Sequence, residues 1–280
     1  MAVGRRLKET GKLSTRELAK KLGIARSSLY YEPKRPKIDA EVKVQIEGVM
    51  VKHPSYGHKR IAMELKLGKN RILRVMKKFG LKPARRRIIR LRKKDDEGKE
   101  PIEAINITKV LCPLWMSVVW VSDFTYIKYK TIFIYVATIM DMYTREIVGW
   151  HISRFHNVQL TIGAFTDAMK NPEYIPPQYL HSDQGSEYDA KDYEVITKQF
   201  GVMQSFSEKG SPWQNGFQES FYSQFKVDLA DPNRFEELGE LIAAIHEKIN
   251  YYNKERIHTS LKTTPQAFRK LRLVDRKKST

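Results

Sequence analysis

Three acids carry the chemistry open to this chain: Asp123, Asp183 and Glu219, the last two with 35 residues between them. Asp123 sits in the apolar, β-prone run Val-Trp-Val-Ser-Asp-Phe-Thr-Tyr-Ile, Asp183 ends Tyr-Leu-His-Ser-Asp and is followed by Gln-Gly-Ser, and Glu219 lies in Trp-Gln-Asn-Gly-Phe-Gln-Glu-Ser-Phe. If a fold gathers them they repel: at about 4 Å and an effective dielectric near 20, each pair costs roughly 4 kcal/mol. Protons or cations must neutralise such a cluster, and hard carboxylate oxygens suit Mg²⁺. A pair of Mg²⁺ ions held by carboxylates is equipment for in-line attack on a phosphodiester.

The elements that must position these acids follow from local pattern. Alternate residues of a strand share a face, so Val119, Val121, Asp123, Thr125 and Ile127 point the same way. An ionised Asp among them is costly unless paired or metal-bound. Asp141, the rival acid nearby, falls at a hairpin turn where Asp commonly bonds local backbone, and reads as structural. Asp183 closes a short strand, and carboxyl ends of strands are where open α/β sheets place ligand sites. Gly185 lets backbone approach closely there. His181 shares the face of Asp183, either as a packed core histidine or as a member of the site.

Around Glu219, helical geometry places Asn215, Glu219, Tyr222 and Lys226 within one narrow arc and Phe217, Phe221 and Phe225 on a separate stripe. Lys226 is a candidate for a DNA phosphate, and Asn215 stands on the same face. Before the helix, Gly210 and Pro212 mark a loop that offers Lys209 to DNA and Trp213 either to a base or to the protein body.

Charge supplies the partner. The 280 residues carry a net +19, with one cysteine, Cys112, which leaves no internal disulfide framework and no cysteine-built zinc site. Residues 1–100 hold 30 Lys+Arg against 11 Asp+Glu, and residues 101–280 hold 21 of each. A basic half joined to a neutral half that bears the acids reads as a nucleic-acid-binding region attached to a reaction centre. The N-terminus lacks the apolar stretch of a signal peptide and no run is long enough to span a bilayer, so a cytoplasmic, nucleoid-associated protein is expected, with no membrane partner.

Along the chain, residues 1–36 read as a short helix-turn-helix-like region. Ser14 to Glu17 has capping-box spacing, Leu18 and Leu22 share a helical face, Gly23 suits a left-handed turn, and 24–30 make a second short helix. Residues 33–38 read as a linker, and 37–84 as a helical DNA-binding domain with Ile61 and Leu65 on one face and Ile72, Val75, Met76 and Phe79 on another. Residues 85–114 form a basic linker in which Arg85, Arg86 and Arg87 are candidate DNA contacts. From 115 to 280 the pattern is strands at 118–128, 131–141 and 146–152, then a helix at 158–170, a strand at 179–183, a helix at 189–200, a strand at 201–206, and helices at 213–228 and 234–252. That order predicts an α/β mixed sheet flanked by helices.

Five stretches carry a resemblance: His-Pro-Ser-Tyr-Gly-His-Lys-Arg-Ile at 53–61, Val-Ser-Asp-Phe-Thr-Tyr at 121–126, His-Ser-Asp-Gln-Gly-Ser-Glu-Tyr at 181–188, the run from Ser207 to Phe221, and Tyr-Asn-Lys-Glu-Arg-Ile-His-Thr-Ser-Leu-Lys-Thr-Thr-Pro at 252–265. With them the chain resembles the insertion-sequence transposases of the insertion-sequence-three group, DDE transposases within the retroviral-integrase superfamily. The resemblance implies an RNase H-like catalytic core in which Asp123, Asp183 and Glu219 bind two Mg²⁺ or Mn²⁺ ions, for cleavage and strand transfer without a covalent protein–DNA intermediate. It implies DNA partners, namely the element's terminal inverted repeats and a target, and a homo-multimer that holds two ends together. Members of the group often carry an upstream helix-turn-helix and leucine zipper joined by frameshifting. Either this chain works with such an upstream-frame partner or its own short motif suffices.

Two rival readings keep the same residues. One is a DNA-binding regulator with an inactive RNase H-like domain, against which the intact acid set argues. The other is a metal-dependent nuclease without joining activity. Paired carboxylates also serve glycoside hydrolysis, but the basic half gives a neutral sugar no reason to bind.

Overall fold

The computed structural model describes residues 14–30, 35–84, 106–107, 113–208 and 215–279. The first helix, α1 (Thr15–Lys21), begins at the expected capping box: Ser14 Oγ accepts from the Glu17 amide at 3.3 Å, and the Ser14 amide donates to Glu17 Oε2 at 3.0 Å. Gly23 takes the left-handed turn, with φ +62°. The second element is a 3₁₀ turn, Arg26–Tyr30, not an α-helix, and Leu22 caps α1 at 41% exposure instead of joining Leu18 in the core.

Helix α2 (Arg35–Lys52) starts inside the stretch expected to be a linker. Pro36 permits this because a first-turn residue has no intrahelical N–H bond to lose. Helices α3 (His58–Glu64) and α4 (Lys69–Lys78) follow, and Val42, Ile46, Ile61, Ile72, Val75 and Met76 form their shared core. Phe79 departs from expectation: it caps α4, 36% exposed, with the Lys43 and Lys78 ammoniums over its ring.

Five strands make one mixed sheet in the order β3-β2-β1-β4-β5: β1 (Val119–Tyr129), β2 (Ile132–Asp141), β3 (Ile147–Ser153), β4 (Tyr179–Ser182) and β5 (Met203–Phe206). The first three run antiparallel in a meander, while β4 pairs parallel with β1 and β5 parallel with β4. Parallel pairing requires crossovers, which α5 (Val158–Lys170) and α6 (Lys191–Gln199) provide. These two pack Leu160, Ala164, Phe165 and Tyr193 against Trp120, Ala137, Ile139 and Leu180 on one face. On the other face lie α7 (Gly216–Leu229) and α8 (Leu238–Lys254), whose Phe221, Phe225, Leu241, Ile245 and Ile249 cover Val119, Val121, Val136 and Met140. The last helix is α9 (Pro265–Ser279), pinned where Arg269 Nε meets the buried Glu146 carboxylate at 2.7 Å.

Asp141 is structural, as read. It is 3% exposed and accepts from the amides of Ser117, Tyr143 and Thr144, the Thr144 hydroxyl and the Trp120 indole. The helical N-terminal unit is tied to the far end of the chain: the Ile257 amide donates to the Tyr56 hydroxyl at 2.7 Å, and His53 Nδ1 lies 2.6 Å from the Tyr251 hydroxyl. Among the described residues no helix is long and apolar enough to cross a membrane.

Candidate active site

Strand pairing places the two aspartates. In the parallel β1/β4 ladder Val119 faces Tyr179 and Val121 faces His181. Two further residues along that register bring Asp123 level with Asp183, which lies just past the end of β4 rather than within it. Neighbouring strands are about 4.8 Å apart, so the two acids emerge side by side.

Each aspartate is fixed by nearby backbone. The Phe124 amide donates to Asp123 Oδ1 at 2.8 Å, and the Gly185 amide to Asp183 Oδ1 at 3.2 Å. A Cβ on Gly185 would stand 2.6 Å from Glu187 Oε1 and 3.1 Å from Asp183 Oδ1, so no side chain fits there without displacing a carboxylate. Glu187 is itself buried and meets His156 Nε2 at 3.3 Å, and the His156 ring packs on Phe124 and Tyr135. Tyr188 is fully buried behind the pair and accepts from Ser122 Oγ at 3.2 Å. Burial first, then the Asp123 charge, pushes its phenol well above the ordinary range, with Asp183 contributing.

Helix α7 is fastened across β1 and β2 by two side chains. Gln218, fully buried, donates its Nε2 to the carbonyls of Val121 at 2.8 Å and Thr138 at 3.1 Å, and its Oε1 accepts from Thr138 Oγ1 at 3.0 Å. Tyr222 donates its hydroxyl to the Asp123 carbonyl at 2.7 Å. Gln218 escaped the sequence reading. Its signal was a polar residue between Phe221 and Tyr222 on the apolar face, where burial demands hydrogen bonds.

The predicted arc therefore divides. Tyr222 turns inward, because its ring reaches beneath β1. Asn215 is also inward, 7% exposed, with its Nδ2 3.4 Å from the Ser122 carbonyl; this corrects its expected place on an open DNA-facing surface. Glu219 stays on the exposed flank, and Lys226 holds its ammonium 5.2 Å from the centre of the Tyr126 ring. On the other stripe Phe221 and Phe225 are buried, whereas Phe217 is 37% exposed beneath the Arg145 guanidinium. Lys209, Trp213 and Arg85, Arg86 and Arg87 lie outside the described residues.

His181 resolves as a core histidine: it is fully buried, with its Nδ1 2.9 Å from Ser205 Oγ, and burial holds its pKa down at about 4. The aspartates fit a divalent cation in donor chemistry and in register. Among the described residues, no three His, Cys, Asp or Glu side chains stand close enough together to hold one. Glu219 lies next to Gln218, which clamps α7, and among the described residues the three carboxylates are not gathered into one ion-sized cluster.

Comparison with known proteins agrees with this architecture. Residues 116–212 match the family described as Integrase core domain, and residues 200–265 match a second family of the same description. The chain is 32% identical over 262 residues to the uncharacterized 31 kDa protein of insertion element IS600 from Shigella sonnei, covering 88% of this chain and 95% of that one. It is 36% identical over 154 residues to the transposase of insertion sequence element IS904 from Lactococcus lactis, covering 54% of this chain and 61% of that one. Among solved structures, the simian T-cell lymphotropic virus intasome in complex with a PP2A regulatory subunit has a chain similar in fold, with TM-score 0.51 and 12% identity over 80% of this chain and 74% of that one.

Proposed function

The chain belongs to the insertion-sequence transposases that carry an integrase core domain, and from that premise we propose that Asp123, Asp183 and Glu219 are its catalytic set, holding two Mg²⁺ or Mn²⁺ ions. It is a DNA transposase, an enzyme that cleaves and joins DNA. The relatives named as transposases do not favour a DNA-binding regulator or a nuclease without joining activity.

The observation that supports the site is the β1/β4 register, in which Val121 faces His181, two residues before Asp123 and Asp183. When bound, the ions supply Lewis-acid stabilisation to the attacking and leaving oxygens. The chain's own residues do the positioning. The Phe124 and Gly185 amides orient one oxygen of each aspartate. Gln218 and Tyr222 hold the Glu219 helix against both strands. Lys226, two turns beyond Glu219 on the same flank, takes a DNA phosphate. Water attacks the phosphorus in cleavage and a DNA 3′-hydroxyl attacks it in joining; in both the bond to the departing 3′ oxygen breaks. Holding the nucleophile in line with that bond removes part of the entropic barrier to attack.

The basic stretch of residues 1–36 and 37–84, with residues 85–114 including Arg85, Arg86 and Arg87, binds the terminal inverted repeats. Residues 115–280 perform the chemistry, and Lys209 contacts DNA. Two ends held together call for a homo-multimer on DNA in the bacterial or archaeal nucleoid, with an upstream-frame helix-turn-helix and leucine-zipper protein as a further partner.

The test incubates full-length protein with labelled element ends, target DNA and Mg²⁺, beside Asp123→Asn. Joined products that vanish in the variant support the assignment. Joining that survives the substitution removes Asp123 from the catalytic set.

A further inference from the structure

Helix α4 reads Lys-Asn-Arg-Ile-Leu-Arg-Val-Met-Lys-Lys: five cations, one amide and no acid in ten residues. Ile72, Val75 and Met76 bury its apolar stripe against α2 and α3. At about 100° per residue, Asn70, Arg74 and Lys77 fall within a narrow arc opposite that stripe, with Lys69, Arg71 and Lys78 on the flanks. All six are exposed. Leu65 to Gly68 join α3 to α4, and Lys66 turns the chain there with φ +51°. Two helices joined by a turn of that length, packed on a third, form a helix-turn-helix.

One acid divides these cations into two groups. Asp39 of α2, 1% exposed, accepts from Arg74 Nη1 at 2.8 Å, Arg74 Nη2 at 2.6 Å and Lys78 Nζ at 2.8 Å. Arg74 and Lys78 are therefore spent on bracing α4 against α2. Lys69, Asn70, Arg71 and Lys77 make no ion pair or side-chain hydrogen bond among the described residues. Lys69 and Arg71 stand in the first turn, where the helix end is already positive and no acid offsets them. Cations so placed repel the helix dipole and one another, and a polyanion from outside relieves that repulsion.

The same unit is fastened to the catalytic region. Ile257, beyond α8, gives its amide to the Tyr56 hydroxyl at 2.7 Å, and its carbonyl accepts from Arg60 Nε at 2.8 Å. Both backbone groups of that residue are engaged by the unit, so DNA bound to α4 is bound to the body that carries the acids.

Resting on the DNA-binding reading of residues 37–84 above, we propose that α4 enters the major groove of the element's end, with Asn70 on a base edge and Lys69, Arg71 and Lys77 on phosphates. The major groove, about 12 Å wide, admits one α-helix. Helices that read DNA present their N-terminal residues to the bases, which fits Asn70 in the first turn. Its amide offers the donor and acceptor pair that matches an adenine edge. Lys69 and Arg71 lie on either side of it and Lys77 two turns on, placed for the backbones that border the groove.

The test measures affinity of the full chain for element-end and scrambled DNA over a range of salt. Arg71→Gln and Lys77→Gln each lower the slope of log affinity against log salt by about one on both DNAs. Asn70→Ala leaves the slope unchanged and reduces the preference for the element end about tenfold. Arg74→Gln lowers the denaturant midpoint and leaves the slope unchanged, because Asp39 already holds that charge. Unchanged slopes for Arg71→Gln and Lys77→Gln take α4 off the DNA and overturn the proposal. Lowered slopes with an undiminished preference in Asn70→Ala put α4 on the backbone and overturn the groove assignment. A slope lowered at Arg74 as much as at Arg71 overturns the division made by Asp39. Wild type that binds element ends no better than scrambled DNA instead sinks the underlying reading of residues 37–84.

Discussion

Tyr222 donates its hydroxyl to the backbone carbonyl of Asp123 at 2.7 Å, so the helix that carries Glu219 is bonded directly to the strand that carries the first aspartate. Thr138, opposite Asp123 on β2, joins the same cluster through its hydroxyl, 2.8 Å from that of Tyr222. Burial and the Asp123 charge push the Tyr222 phenol well above its ordinary range, which keeps it a proton donor.

Tyr222→Phe removes that donor and strands a buried carbonyl. Stability falls by about 1–3 kcal/mol, read as a lower denaturant midpoint with an unchanged m-value. If the bond also registers Glu219 against Asp123, the joining rate falls further than the loss of folded protein explains, while DNA affinity holds.

Asp183→Asn keeps the shape of the side chain and its bond from Gly185 but removes a negative charge from the proposed ion-holding pair. Cleavage falls at least about a hundredfold, roughly 3 kcal/mol of barrier, and binding to element ends stays near wild type. Loss of binding in the same measurement would mark Asp183 as structural.

Burial holds the His181 pKa at about 4, below its ordinary 6.5. Between those values the unfolded chain binds the proton and the folded chain does not, so stability from this residue is complete above about pH 6.5 and is lost as pH falls towards 4. The contribution is at most about 3 kcal/mol. His181→Gln, which keeps a partner for Ser205, flattens that acid limb in denaturation curves taken from pH 7 to pH 4.

Neutralising Arg85, Arg86 and Arg87 together tests the basic stretch that precedes the catalytic region. If all three meet phosphates, the slope of log affinity against log salt falls by up to about 3. A slope that does not move makes the stretch a connector.

Much was legible in the sequence because it depends on local pattern. The runs rich in Val, Ile, Tyr, Phe and Thr predicted the β1–β2–β3 meander within a residue or two at each end, and the 158–170 helix matches α5 at both ends. The Ser14 capping box formed because cap and partner are three residues apart. Asp141 was readable as structural because its acceptor work is done largely by the turn around it.

What only the tertiary structure decided involves residues far apart in sequence. Asp123 and Asp183 are 60 positions apart, and the parallel register that pairs Val121 with His181, two residues before each of them, is a property of strand pairing, not of either strand. Tyr222 and Asn215 shared a predicted surface arc with Glu219 and Lys226, but a helical wheel cannot tell which edge of that arc the sheet will cover. Gln218 acquires meaning from two carbonyls on different strands, and Arg60 donates to the Ile257 carbonyl 197 residues away. Residue types and their spacing along the chain determined the candidate acids and the class of fold. Long-range packing decided which side chains lock that site.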